Sequence, residues 1–184
     1  KGSLMLFFVR VFIMVTIVTS NIAMADAEKF ISGSVIKNYG KHAKVQQDLH
    51  FDKNALFKVA FDISEQGKVG EVNRKIETLA RFINMHVANG VSAENIHLAL
   101  VVHGKAGFDL LKSRLYQEKF NSTNANSALL QDLMKNQVQI YLCGQSAAYY
   151  DIDKPLLEPG VKMALSAMTA HAVLNSKGYS LNPF

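Results

Sequence analysis

Cysteine is nearly absent: one residue, Cys143, stands in 184. A lone thiol cannot close an internal disulfide, so the fold must rest on an ordinary apolar core. One thiol and six dispersed histidines also lack the Cys/His spacing of a zinc site. No G-x-G-x-x-G follows the first strand-like segment, and no G-x-x-x-x-G-K-[ST] occurs, which disfavours a dinucleotide or phosphate-loop cofactor. A G-x-S-x-G elbow is missing too, so the serine-hydrolase pattern has no anchor. The 20 basic residues outnumber the 15 acidic ones only mildly, giving +5, and they are scattered without a run or an aromatic-interleaved stripe. That argues against a nucleic-acid partner.

What is present begins with a leader pattern. Arg10 precedes the apolar run Val11 to Val18, and Ala23-Met24-Ala25 supplies an A-x-A site, the three-part layout of a secretory signal peptide over residues 1–25. The apolar core is shorter than the roughly 20 residues a membrane span needs, so cleavage is expected to leave no span, with an uncleaved anchor as the alternative. Lys1-Gly2-Ser3 carries no initiator Met and reads as an expression remnant, which puts the natural start at Met5. Residues 26–184 have the length of one domain, and the leader assigns them to the periplasm or the exterior.

Residues 26–54 are polar and mixed, and read as an extended, separable lead-in with a short edge strand at Ser34-Val35-Ile36. His42, His50 and His86 read as solvated. Residues 56–63 form the first convincing strand, with Asp62 near its carboxyl end. Val72, Ile76, Leu79, Ala80, Ile83 and Val87 fall on one helical face over 71–89. Residues 96–102 are too continuously apolar for a half-wet sheet and fit a parallel strand buried on both faces, ending at His103-Gly104. Helices are expected over 108–120 and 127–136, then the strand 138–143. A further strand spans 160–165, a helix with Met168, Ala172 and Val173 inward spans 167–176, and an edge strand closes at 179–182.

Alternating strands and helices of this kind predict an α/β domain over 55–184: a three-layer, Rossmann-like fold with a mainly parallel sheet of about five strands. Parallel strands end on one side, so Asp62, His103, Cys143 and Ser166 are expected along a single edge, where ligands bind in such sheets. Gly144-Gln145-Ser146 opens a helical turn directly after Cys143, so unpaired N–H groups and the helix dipole favour a thiolate there. His103 is the candidate base or cationic neighbour. A small buried hydrophobe is the plainer account of Cys143.

Cys143-Gly144-Gln145-Ser146-Ala147, the later Pro159-Gly160-Val161, Ala164-Leu165-Ser166-Ala167-Met168 and Gly178-Tyr179-Ser180-Leu181-Asn182-Pro183-Phe184, with His103-Gly104 upstream, resemble the DsrE/DsrF-like family. The resemblance covers about residues 57–184. It implies a Rossmann-like sheet, trimeric or hexameric self-association, and a cysteine that carries sulfur as a persulfide, with Cys143 at the matching position. The expected function is an exported sulfur carrier or sulfurtransferase-like relay without a cofactor or metal, served by a donor or acceptor protein. Cys143 and His103 are its chemical groups, and Asp62, Gly144, Gln145, Ser146 and Ser166 its ligand-facing groups. The alternative is a non-catalytic, oligomeric module that binds a small ligand.

Overall fold

The computed structural model describes residues 29–182, so the expected leader and its cleavage site lie outside the described residues. The main sheet is built from β3 (Phe57–Ile63), β4 (Ile96–Val102), β5 (Gln139–Cys143), β6 (Lys162–Ala164) and β7 (Ser180–Asn182), after a small antiparallel pair, β1 (Phe30–Ile31) and β2 (His42–Ala43). All five main strands are parallel, in the order β6-β5-β4-β3-β7.

Period-2 alternation gives each strand two different faces. Val59, Phe61 and Ile63 of β3, Leu98, Leu100 and Val102 of β4, and Ile140 and Leu142 of β5 point to the first face. Two helices cover it: α1 (Arg74–Ala88) with Ile76, Leu79, Ala80 and Ile83, and α3 (Ser127–Lys135) with Leu129, Leu130 and Leu133. The Asn73 side chain caps α1 by accepting the Lys75 N–H, which starts the helix after the turn rather than at residue 71. The stretch expected as one helix over 108–120 is divided into a 3-10 segment (Gly104–Leu110) and α2 (Ser113–Phe120). A one-turn helix, α4 (Gly144–Tyr149), follows β5 directly.

The second face is lined by the small or slender Ala60, Ala99 and Val101 and covered by α5 (Ala167–Ser176) through Ala170 and Leu174, with Tyr179 alongside. Connections from β3 to β6 step one way across the sheet, whereas the β6 to β7 connection returns over its whole width. Right-handed crossovers therefore send α5 to the opposite side from α1 and α3, completing three layers. Leu100 and Val101, neighbours in β4, are both fully buried, one on each face.

Several expectations need correction. Met168, Ala172 and Val173 point outward; the inward face of α5 is Ala167, Ala170, His171 and Leu174. No strand forms at Ser34-Val35-Ile36. Instead, Asn84 of α1 accepts the Ile36 N–H and donates to the carbonyls of Ile36, Tyr39 and Gly40, seating Ile36 in the core, so this part of the lead-in packs on the domain. His42 is buried in β2. His86 is half-buried, stacks on Phe82 at 3.9 Å between ring centres and donates from Nδ1 to the Phe82 carbonyl. Burial pushes its pKa down, with the Phe82 hydrogen bond opposing. Among the described residues no helix is long and apolar enough to cross a membrane.

Candidate functional site

Strand register brings the expected residues to one edge. Asp62 is paired with Val101 and Val101 with Tyr141, so His103 and Cys143, each two residues further on, extend the same face at the carboxyl end of the sheet. Cys143 in turn pairs with Ala164, two residues before Ser166. This is the α5 face, and the start of α5 stands at that edge.

Two helix starts meet at the thiol. Cys143 is 6% exposed, and that burial alone would raise its pKa. The polar groups at the two helix starts, the Ser146 N–H and hydroxyl first and then the Ala167 and Gln145 N–H groups, favour the thiolate and outweigh the burial, so the pKa lies below the ordinary thiol value, although the thiol makes no capping hydrogen bond to α4. Gly144 is what allows the chain to turn here: a Cβ on it would stand 2.6 Å from the Ala164 carbonyl oxygen. Gln145 donates from Nε2 to the Leu165 carbonyl at 3.2 Å, tying α4 to the loop before α5. Ser166 is the cap of α5, its Oγ accepting the Thr169 N–H at 3.0 Å.

His103 faces Asp62 rather than standing as an independent base. Its Nε2 donates to Asp62 Oδ2 at 3.0 Å, while His171 Nε2, from α5, donates to Oδ1 at 2.7 Å. Burial disfavours the carboxylate, but the hydrogen bonds from His171 and His103 and their charge prevail, holding Asp62 below the usual carboxylate range. The tie from the His103 loop to the thiol's strand end runs through the backbone: the next N–H, of Gly104, donates at 2.9 Å to the Oγ of Ser146, three residues after Cys143. Gly104 has φ +54, and a Cβ there would stand 2.8 Å from the Ser64 carbonyl oxygen.

His171 is the residue that sequence reasoning missed. It lies 109 residues from Asp62, and the surrounding Ala, Met, Thr and Val offer little contrast from which to read the phase of the helix. Among the described residues no group of three His, Cys, Asp or Glu side chains is set to hold a metal ion. Two hollows flank the site. One of about 290 Å³ lies beside Gly144, Ala147 and Met163, and one of about 280 Å³ lies beside Ala60, His171 and Tyr179.

The sequence matches no curated protein. Among solved structures, the chain is similar to a protein of unknown function, MTH1491, from Methanobacterium thermoautotrophicum, with a TM-score of 0.54 and 15% identity over 70% of this chain and 99% of that one. A second likeness is to the ychN protein of E. coli, at a TM-score of 0.49 and 18% identity, again over 70% of this chain and 99% of the other. The sequence model of the DsrE/DsrF-like family matches residues 68–183, from the turn after β3 to the penultimate residue and including Cys143, and the chain belongs to that family.

Proposed function

We propose that this protein is an exported sulfur carrier whose Cys143 holds sulfane sulfur as a persulfide. The observation that carries the reading is the place of Cys143 at the carboxyl end of β5, directly before α4 and paired with Ala164 ahead of the start of α5, where the polar groups of the two helix starts hold the thiol pKa below its ordinary value. The Cys143 thiolate attacks the outer sulfur of a persulfide donor, R–S–S⁻; the new S–S bond forms as the donor's S–S bond breaks and R–S⁻ leaves. An acceptor thiolate then attacks the outer sulfur and releases the Cys143 thiolate, with no net oxidation. The same polar groups that favour the thiolate favour the persulfide anion.

Export rests on the leader pattern before Asp26, and self-association as a trimer or hexamer on the family resemblance. The outward side chains beside the site also favour a partner copy: Met168 is 80% and Leu165 72% exposed. A monomer in light scattering at micromolar concentration would remove that element.

Intact mass after incubation with a sulfane donor tests the chemistry. One added sulfur, removed by a thiol reductant and absent in Cys143→Ser, is the expected result. The low exposure of Cys143 favours a second reading, an oligomeric module that binds a small ligand through the same edge. A folded protein that takes up no sulfur and resists alkylation decides for it.

A further inference from the structure

We infer that the amino-terminal half of the second face, from Lys58 on β3 to Lys162 on β6, is an interaction surface for an acidic segment of a partner protein. The inference does not depend on the chemistry of Cys143.

Strand register defines the surface. Ala60 lies under α5, so Lys58, two residues earlier in β3, shares its face. Lys58 stands beside His97, Ala99 beside Gln139, and Tyr141 beside Lys162, which brings His97, Gln139, Tyr141 and Lys162 to the same face. The carboxyl half of this face carries Asp62, His103 and Cys143. On the amino half, these strand positions hold no carboxylate, and none of the side chains is buried. The covering helix α5 contains no Asp, Glu, Lys or Arg.

Side-chain contacts join these residues into a belt. Lys58 Nζ lies 6.0 Å from the centre of the Tyr179 ring, and Lys162 Nζ lies 5.6 Å from that of Tyr141. Between the rings, Gln139 Nε2 donates to Tyr179 Oη at 3.2 Å, and Tyr141 Oη donates to Gln139 Oε1 at 2.7 Å. The order is therefore cation, ring, amide, ring, cation. Lys58 Nζ also donates to the Lys177 carbonyl at 3.1 Å, which fixes the ammonium at the end of α5 and leaves it two N–H groups to donate elsewhere. Neither Lys58 nor Lys162 is paired with a carboxylate among the described residues.

The length of the belt selects the partner. Its end residues are three strand spacings apart across the sheet and four residues apart along it, about 20 Å between backbones, which is the reach of about six extended residues. Carboxylates spaced along a polypeptide can meet both ammonium groups, whereas one small anion meets only one. The hydroxyls already held by Gln139 and the tethered Lys58 lower the ordering cost of binding, and the unopposed charge steers an acidic partner to this half of the face. A flat bilayer is a poor fit, because α5 packs on the sheet through Ala170 and Leu174 and stands above the belt.

The probe is a fluorescent peptide of alternating glutamate and serine, long enough to span the belt, with binding read by anisotropy. The wild-type protein should bind it at low ionic strength and release it as salt is added. Lys58→Gln together with Lys162→Gln should weaken binding about tenfold, whereas Lys44→Gln, the same charge change in the lead-in, should alter it less than about twofold. Tyr141→Phe keeps the ring but loses the donor to Gln139, and should weaken binding about threefold. If the double variant fails to fold, Lys162→Gln is read alone, with a loss of about threefold.

No binding at low salt overturns the inference, as does a loss in Lys44→Gln equal to that in the double variant, which would mean that only net charge is sensed. Vesicles rich in phosphatidylglycerol that bind more tightly than the peptide, through the same lysines, would assign the belt to a membrane instead. An oligomer in light scattering that the double variant dissociates would assign it to a second copy. Either result overturns the acidic-partner assignment.

Discussion

The two faces of the sheet are made from the same strands and do opposite work. The first is filled with Val, Ile, Leu and Phe and roofed by α1 and α3, leaving its central side chains essentially without solvent contact. The second is lined by Ala60, Ala99 and Val101 under a single helix, and it carries Asp62, His103, Cys143 and the facing His171. Side-chain volume explains the division. Large aliphatic groups commit a face to packing, whereas alanines bring a helix close without filling the edge, and polar groups with mutual partners can occupy it. The large aliphatic core is therefore concentrated on one face and the candidate site on the other.

The strongest way to break this comparison is a cavity on the first face. Leu100→Ala, at a fully buried position between the α1 and α3 layer and the sheet, should cost about 2–5 kcal/mol in denaturant unfolding. Cys143 alkylation under native conditions should change little, because Leu100 points away from the thiol. A variant that loses little stability, or whose folded form alkylates abnormally, would show that the faces are not independent.

A smaller effect is expected at Asn84, where the first-face helix α1 holds the lead-in. Asn84→Ala removes the partners of the Ile36 N–H and of three carbonyls in one substitution. Leaving buried backbone groups unpaired should cost about 1–3 kcal/mol. Limited proteolysis should then cut between residues 33 and 43 before the main sheet opens. Cleavage no faster than in the wild-type protein would mean that Ile36 alone seats the segment.

The legibility of the sequence follows the same division. β3, β4, β5 and α1 were readable because their apolar residues are large and recur with clear periods, and the end of each strand placed Asp62, His103 and Cys143 at one edge. α5 was readable as a helix but not in its rotation. Met168 and Val173 are more apolar than Ala170, yet the alanine-lined sheet accepts Ala170 and His171 and leaves the larger side chains outside. The His171 contact depends on that rotation and on a strand far away in the chain, so no local spacing announces it. In the lead-in, the decisive group is Asn84 on another element, and the Ser34-Val35-Ile36 pattern by itself suggested a strand.

The finest contrast between the faces is in two aspartates whose pKa values move in opposite directions. On the second face Asp62 is opposed by burial but held below the usual range by His171 and His103. Its contribution to stability is complete above the unfolded carboxylate value of about 3.9 and is lost as pH falls through the lower folded value. On the first-face side Asp109 is fully buried, and burial raises its pKa although Oδ2 accepts from Asn73 Nδ2 and from the Gly67 N–H, both at 2.8 Å. Its Oδ1 and the nearby Gln66 Nε2 are buried without partners among the described residues. A raised folded value reverses the sign: the contribution is present below the unfolded value and disappears as pH rises through the folded one. In Asp109→Asn a single carbonyl oxygen can accept both existing hydrogen bonds, and no charge remains to bury. That variant should gain stability relative to the wild-type protein as pH rises from mildly acid to neutral, whereas Asp62→Asn should show its deficit at neutral pH and lose it toward strong acid. Denaturant unfolding of the three proteins across that range measures both slopes, and slopes of the same sign would mean that the two carboxylates do not differ as their surroundings require.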